Sequence, residues 1–509
     1  MARARFLSAD AAAELIGDGA TVALIGGGGG LMEASATFAA IERRFLATAR
    51  PRNLTVIHAL GLGDRKTKGL NCFAHEGMVK RVIGGHWVWS PRMQELARAE
   101  KIEAYIMPGG VMTQLFREIG AGRPGLFTHV GLGTVIDPRH GGGKMNASAR
   151  EDLVELTRID GREYLRYKPF PVHVAIVRGS FADADGNISF DQEAANLDSY
   201  AVALAAHNSG GTVIAQVRTR VNAGTLPARA VRIPGAIVDA VVVDPDQAMS
   251  YDLPYDPTIS GERFGPVPAE APAPFNERQV IARRAADELF DGAVINYGFG
   301  IPDAIAKLVA ARGDLDRYFQ TIEHGTYGGT LLDGTLFGFA RNPSAMIDAP
   351  SQFDFYSGGG LDIAFLGFGE LDAAGNVNVS RLGGLTVGPG GFIDIAQNAR
   401  KMVFCGTFDT KGTQLEIGGG RLRVARPGTV RKLVAAVEQI TFSGPEALKR
   451  GHEVIYVTER AVFRLTQDGL VLSEVAPGVD VRADVLDCMG FSPLLPSTLA
   501  LMPAACFIG

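Results

Sequence analysis

Aliphatic runs that end in glycine and give way to helically spaced stretches recur along the chain. In GATVALIGGGGGL, 19–31, a β-branched run closes on glycines and is followed by ASATFAAIERRFL, apolar along one side of a helix. GAVINYGFGIPDAIAKLV, 292–309, repeats that order in the second half. VHVAIVRG at 172–179 and LDIAFLGFG at 361–369 are apolar at nearly every position, as strands are when helices cover both faces of a sheet. Helical spacing, as in ERQVIARRAADELF at 277–290, alternates with such strands. This alternation predicts doubly wound, mostly parallel α/β sheets, in which ligands bind beyond the carboxyl ends of strands.

A second pair of signals falls in the same order in both halves. ADADGNISF at 182–190 and LDAAGNVNV at 371–379 share D-x-x-G-N, a turn in which glycine supplies positive φ and Asp and Asn bond the backbone. Each is followed by an aliphatic strand, TVIAQV at 212–217 and KMVFCGTF at 401–408. Two matched pairs in one order predict duplication. Between them, 251–277 is rich in proline and poor in aliphatic periodicity, which reads as an extended connection. The expected fold is therefore α/β with two duplicated domains, an N-terminal half over 1–250, a linker over 251–277 and a C-terminal half over 278–509.

Charge and cysteine usage narrow the function classes. The net charge of −5, from 50 basic and 55 acidic residues, gives no general attraction to nucleic acid or to an anionic membrane. Cys72, Cys405, Cys488 and Cys506 have no CxxC spacing, so neither a zinc site nor a disulfide framework is expected. The N-terminus lacks an apolar core before a cleavage site, and no stretch approaches the length of a membrane span, so a cytoplasmic protein is expected. The glycine run 26–31 has Leu31 or Met32 where GxGxxG needs its last glycine, and no Lys-Ser/Thr follows to make a P-loop. It reads either as a tight turn or as a backbone surface for part of a cofactor. No GxSxG elbow occurs, and Val79 replaces the second histidine that His75-Glu76 would need for a zincin, so no catalytic metal is expected.

QTIEHGTYGG at 320–329 sets one acid, Glu323, among glycines. Taken alone it suits a helix cap on a turn. Together with NYGFGIP at 296–302, SGGGLDIAFLG at 357–367 and GPGGFIDIAQNARKMVF at 388–404, it resembles the family I CoA-transferases, in their acetate and propionate branch. GLNCFAHEGMVKRVIGGHW at 69–87 and LFREIGAGRPGLFTHVGLGTVIDPRHGGGKMN at 115–146 extend the resemblance through the first half. The resemblance implies a two-half enzyme that moves CoA between short- or medium-chain carboxylic acids, commonly as a homodimer or homotetramer. Acyl-CoA and free acid would be its partners, and CoA a substrate, with no tightly bound cofactor.

In that family the glutamate of E-x-G-x-x-G-G is the nucleophile, and Glu323 holds the matching place. It would form an acyl-glutamyl anhydride, then a glutamyl-CoA thioester, in ping-pong order. The family places the glycine loop beside the acid, so the N–H groups of Gly388, Gly390 and Gly391 are expected to serve the oxyanion. Relatives have glutamine at the position of Gly109, a departure that bears on substrate range. Gln114, five residues on, either reaches back into that place or sits on the following helix. Gly28, Gly29 and Gly30 are candidate CoA-binding positions, and Lys144, with Arg65, Lys66 and Lys68, is a candidate for the CoA phosphates. His324 is a candidate base that the chemistry does not require, and Glu33 and Glu76 read as helix-start or surface acids. Two other readings stay open: an acyl-CoA hydrolase on the same scaffold, and a non-catalytic CoA-ester sensor.

Overall fold

Eight parallel strands run in series through one of the two ten-stranded sheets of the computed structural model, which describes residues 4–268 and 274–509. They are β1 (Arg5–Leu7), β2 (Thr21–Leu24), β3 (Leu54–His58), β4 (Val79–Gly84), β5 (Glu103–Ile106), β6 (Val174–Ala182), β7 (Thr212–Arg220) and β8 (Ala240–Val243). Their order is β1-β8-β7-β6-β2-β3-β4-β5, and every pairing along it is parallel. Central β6 is buried at eight of its nine positions, which is why the sequence shows a continuous apolar run there and no alternation.

Helices α1 (Ser35–Thr48), α2 (Gly109–Gly120) and α3 (Ser199–Asn208) belong with this sheet. Phe38 and Ile41 of α1 are fully buried, and the helix ends where Ala49 turns left-handed at φ 53°. Helix α2 approaches α3 closely at a glycine, since a Cβ on Gly120 would stand 2.9 Å from Leu204 Cγ. At the carboxyl edge of neighbouring strands the chain delivers small residues in turn: Gly26–Gly30 after β2, Gly61 and Gly63 after β3, Gly84 and Gly85 at the end of β4, and Gly109 after β5. That edge is where a parallel sheet offers a binding crevice.

By internal contacts the chain divides into two units. The first holds the residues up to Gly265 together with Ile322–Asp354 and Gly383–Asp394; the second holds the rest of the described chain. Of the proline-rich stretch 251–277, positions 251–265 belong to the first unit, and 269–273 lie outside the described residues.

The second unit has its own sheet, β9 (Val294–Tyr297), β10 (Phe319–Ile322), β11 (Ile363–Gly367), β12 (Lys401–Cys405), β13 (Glu453–Val457), β14 (Ala461–Thr466) and β15 (Gly469–Val475). In the order β10-β9-β11-β12-β13-β14-β15 the first four pairings are parallel and the last two antiparallel. Helix α4 (Glu277–Ala286) starts on Asn276, whose side chain accepts from the N–H of Arg278 at 3.0 Å. Buried Arg284 on this helix is held by Glu474 and Glu288, so its charge is matched where water is excluded.

The two D-x-x-G-N segments form the same turn. Asp183 accepts from the N–H of Asp185 and of Asn187 and from the Asn187 amide, while Asn187 Oδ1 accepts from Gly235 N–H. Asp372 accepts from the N–H of Ala374 and of Asn376 and from the Asn376 amide, while Asn376 Oδ1 accepts from Gly444 N–H. Gly186 and Gly375 have φ of 86° and 75°, the conformation that admits glycine without penalty. The fold is thus mixed α/β with large, mostly parallel sheets, as the alternation of strands and helices predicts. Among the described residues no helix is long and apolar enough to cross a membrane.

Candidate active site

Glu323 follows Ile322 directly and opens a hairpin that bends back at once. Gly325 N–H donates to Ile322 O at 2.9 Å and Gly325 O accepts from Ile347 N–H at 2.8 Å. With φ at +101° and Ile347 O only 2.1 Å from where a Cβ would stand, position 325 accepts glycine alone. Gly329 meets the same limit against Arg341 O, at 2.3 Å. These contacts explain the glycines of E-x-G-x-x-G-G: they let two backbones close behind the acid.

The acid itself faces the other glycine loop. Glu323 Oε2 lies 2.2 Å from the position a Cβ on Gly391 would take, so the carboxylate rests against bare backbone. Phe353 forms the wall beside it, with Cζ 3.3 Å from the same point. The Glu323 side chain is 17% exposed, and its carboxylate accepts no hydrogen bond from the described residues. Burial raises its pKa from 4.5 to about 7, because the charge has lost water and gained no donor. His324 does not relieve it. Its Nε2 is 3.9 Å from Glu323 Oε1, too long for a hydrogen bond, and burial lowers the imidazolium pKa to about 4, so the ring is neutral. Its Nδ1 is 3.3 Å from Gly338 O. This is the placement of a packed histidine, not of a base.

The loop around Gly388 is tied down by the carboxyl edge of the sheet. Trp87 N–H donates to Val387 O at 2.8 Å, Gly390 N–H to Gly85 O at 2.7 Å, and Gly109 N–H to Gly390 O at 2.6 Å. Of the three N–H groups expected to serve the oxyanion, that of Gly390 is bonded to Gly85 O. The N–H groups of Gly390 and Gly109 are spent on loop support, whereas those of Gly388 and Gly391 have no acceptor among the described residues. Gly109 has little room for a side chain, since a Cβ there would lie 3.1 Å from Ala59 O and from Gly390 C. Gln114 does not reach back: its Nε2 donates to Asp354 Oδ1 at 2.9 Å from within α2.

Asp394 was not among the residues that sequence reading singled out, yet it joins these parts. Its two carboxylate oxygens accept from Gly110 and Val111 N–H, each at 3.0 Å, capping the first turn of α2. Burial raises its pKa to about 8, the two N–H bonds oppose that rise, and the neighbouring Glu323 charge adds to it. Its only sequence signal is an acid three residues beyond the glycine loop in GPGGFID. Asp394→Ala is expected to lower unfolding stability by about 2–3 kcal/mol, read from urea titration, because two buried helix-end donors lose their acceptor.

The remaining candidates have protein partners of their own. A Cβ on Gly28 would enter the Trp89 ring, one on Gly29 would stand 1.9 Å from Thr335 O, and one on Gly30 would meet Tyr251 at 2.9 Å. These protein neighbours require glycine at 28, 29 and 30. Lys144 is paired with Asp152, and none of its hydrogen bonds reaches the residues around Glu323. Glu76 is a surface acid paired with Lys101 at 2.9 Å. Glu33 is not: it is fully buried and accepts from Tyr251 Oη at 2.6 Å and Gly63 N–H at 2.8 Å, with its pKa raised to about 7 by burial. It braces the glycine run from beneath.

Residues 6–244 match the family model described as Coenzyme A transferase. The chain is 44% identical over 507 residues to the acetate CoA-transferase YdiF of Escherichia coli K12, covering 99% of this chain and 96% of that one. It is equally 44% identical over 513 residues to the caffeate CoA-transferase of Acetobacterium woodii, covering 99% and 97%. The crystal structure of the YdiF apoenzyme from Escherichia coli O157:H7 superposes with a TM-score of 0.95 at 43% identity, over 99% of this chain and 96% of that one. The YdiF thioester complex with CoA superposes at 0.94. With a bare, unbonded glutamate against a glycine loop and likeness along its whole length, the chain belongs to the coenzyme A transferase family.

Proposed function

We propose that the protein exchanges CoA between an acyl-CoA and a free carboxylic acid, of short or medium chain and acetate-like, with Glu323 as the covalent centre. One observation carries the reading: the Glu323 carboxylate has no donor bonded to it and lies against Gly391. Carboxylates are weak nucleophiles in water because hydration stabilises their charge, so a largely dehydrated, unbonded one is the more reactive form. That one relative is named for acetate and another for caffeate supports a carboxylic acid as the partner.

The steps conserve charge and need no proton from Glu323. A carboxylate oxygen attacks the thioester carbonyl, the π pair moves to the carbonyl oxygen, and collapse expels CoA thiolate to leave an acyl-glutamyl anhydride. The thiolate attacks the glutamyl carbonyl, releasing the first acid and leaving a glutamyl-CoA thioester. A second acid attacks that thioester, and the same steps in reverse deliver the new acyl-CoA. The N–H of Gly391, and Gly388 behind it, are the backbone donors left for the oxyanion.

The test is direct. Incubation with acetyl-CoA and no acceptor, borohydride reduction and mass spectrometry should place the modification on the tryptic peptide 318–341. Active protein with that peptide unmodified overturns the mechanism; turnover by water alone would make the protein a hydrolase. A pH series sharpens it. The reactive form is the ionised acid, so the single-turnover rate of adduct formation should climb with pH up to about 7 and level above it. A flat profile through that range would mean that Glu323 is not the titrating nucleophile.

A further inference from the structure

We infer that His86, resting on the proposed covalent mechanism of Glu323, is the side-chain hydrogen-bond donor to the oxyanion of each tetrahedral intermediate. The inference begins with a shortage. An oxyanion needs aimed donors, and two of the four backbone N–H groups in the glycine loop and its support are already committed, Gly390 to Gly85 and Gly109 to Gly390. That leaves Gly391 beside the nucleophile, and Gly388 on the far side of Pro389.

His86 stands at the corner where those supports meet. It follows Gly85, whose carbonyl holds Gly390, and precedes Trp87, whose N–H holds Val387. A Cβ on Gly388 would lie 3.1 Å from His86 Cα, and one on Gly390 would lie 3.8 Å from both Cβ and Cδ2 of the His86 side chain. The Cδ2 edge of the imidazole therefore runs alongside Gly390, one residue from the glycine that touches Glu323, while Nδ1 faces Gly61, 2.9 Å from where a Cβ there would stand, which leaves Nε2 as the donor on the Gly390 side. Neither ring nitrogen has a hydrogen-bond partner among the described residues, and the side chain is only partly buried. Contrast His58 in the same neighbourhood, whose Nδ1 is bonded to Leu60 O at 2.6 Å and whose ring is fully buried.

The ring has the right protonation state for this task. Burial first, then the neighbouring His58 and Arg65, lower the His86 pKa to about 4, so the neutral form carries one N–H and one lone pair. A neutral donor stabilises the oxyanion without forming a persistent ion pair with the free carboxylate of Glu323 or of the incoming acid. In the step itself the carbonyl π pair moves to oxygen, His86 N–H lends a hydrogen bond, and no proton leaves the ring. When the intermediate collapses the bond is released.

Two size-matched variants test this. His86→Gln keeps an N–H donor and His86→Leu removes it, so packing effects are shared and only donation differs. Loss of one oxyanion donor typically costs about 10²–10³-fold in kcat. His86→Leu is expected to fall by about 10²-fold in kcat and in the rate of glutamyl-CoA formation, with KM for acetyl-CoA changed less than about threefold, while His86→Gln recovers most of the rate. His86→Leu at wild-type rate, or Gln no faster than Leu, overturns the assignment. Wild-type protein that forms no adduct on the Glu323 peptide overturns the covalent mechanism and this inference with it; wild-type adduct with an undiminished Leu variant overturns the inference alone.

Discussion

Glu323→Gln abolishes CoA transfer, by about 10⁴-fold or more in kcat, and makes the protein more stable at neutral pH than the parent. The loss of rate follows from removing the nucleophile, for which no bypass exists in a ping-pong exchange. The gain in stability follows from linkage. The carboxyl has a folded pKa of about 7 against an ordinary value of 4.5. Between those values the folded state binds the proton more tightly than the unfolded chain does. The contribution of this acid to stability is therefore fully present below about pH 4.5, is lost as pH rises through about 7, and stays lost above. Glutamine does not titrate, so the variant should match the parent in acid and exceed it progressively across that window, by at most about 3 kcal/mol. Urea titrations of both proteins at several pH values measure the gap. A variant that is less stable than the parent at pH 8 would mean that the carboxylate is supported by donors and is not the bare group seen here.

Gly391→Ala is the second large effect, and it separates position from chemistry. The added methyl would start 2.2 Å from Glu323 Oε2 and 3.3 Å from Phe353 Cζ. Because the nearer atom ends a flexible side chain, the fold can accommodate the methyl by displacing the carboxylate. Stability should change by less than about 1 kcal/mol. Catalysis cannot accommodate it, since a displacement near 1 Å at a reacting group costs about 10²-fold. Borohydride trapping should show adduct on the same peptide, formed about 10²–10³-fold more slowly. An Ala variant that melts like the parent and forms adduct at the parent rate would show that the nucleophile reacts from somewhere other than the Gly391 face.

The strands were legible because burial on both sides writes a continuous apolar run, and the matched turns because Asp, Gly and Asn at fixed spacing bond their own backbone. VHVAIVRG became β6 and LDIAFLGFG became β11 with only their ends adjusted. The site was legible in part. Resemblance pointed to Glu323, but the same resemblance named Gly390 as a donor, and its N–H is committed to a carbonyl more than 300 positions earlier in the chain, on Gly85. Asp394 and His86 went unmarked because an acid after a glycine loop and a histidine before a tryptophan have no local pattern that distinguishes cap from surface or free ring from packed ring. Glu33 misled in the other direction, a buried brace that reads as a surface acid until Tyr251 is brought onto it.

The amino-acid sequence by itself determined the succession of strands and helices and the two D-x-x-G-N turns. These are consequences of residues within a few positions of one another. The tertiary structure alone decided that Glu323 lacks a donor, that Gly390 and Gly109 spend theirs on support, and that His86 keeps its own. Desolvation and hydrogen-bond satisfaction depend on which groups share a volume, and here those groups come from the ends of β4 and β5, from the hairpin after Ile322 and from the loop ending at Asp394.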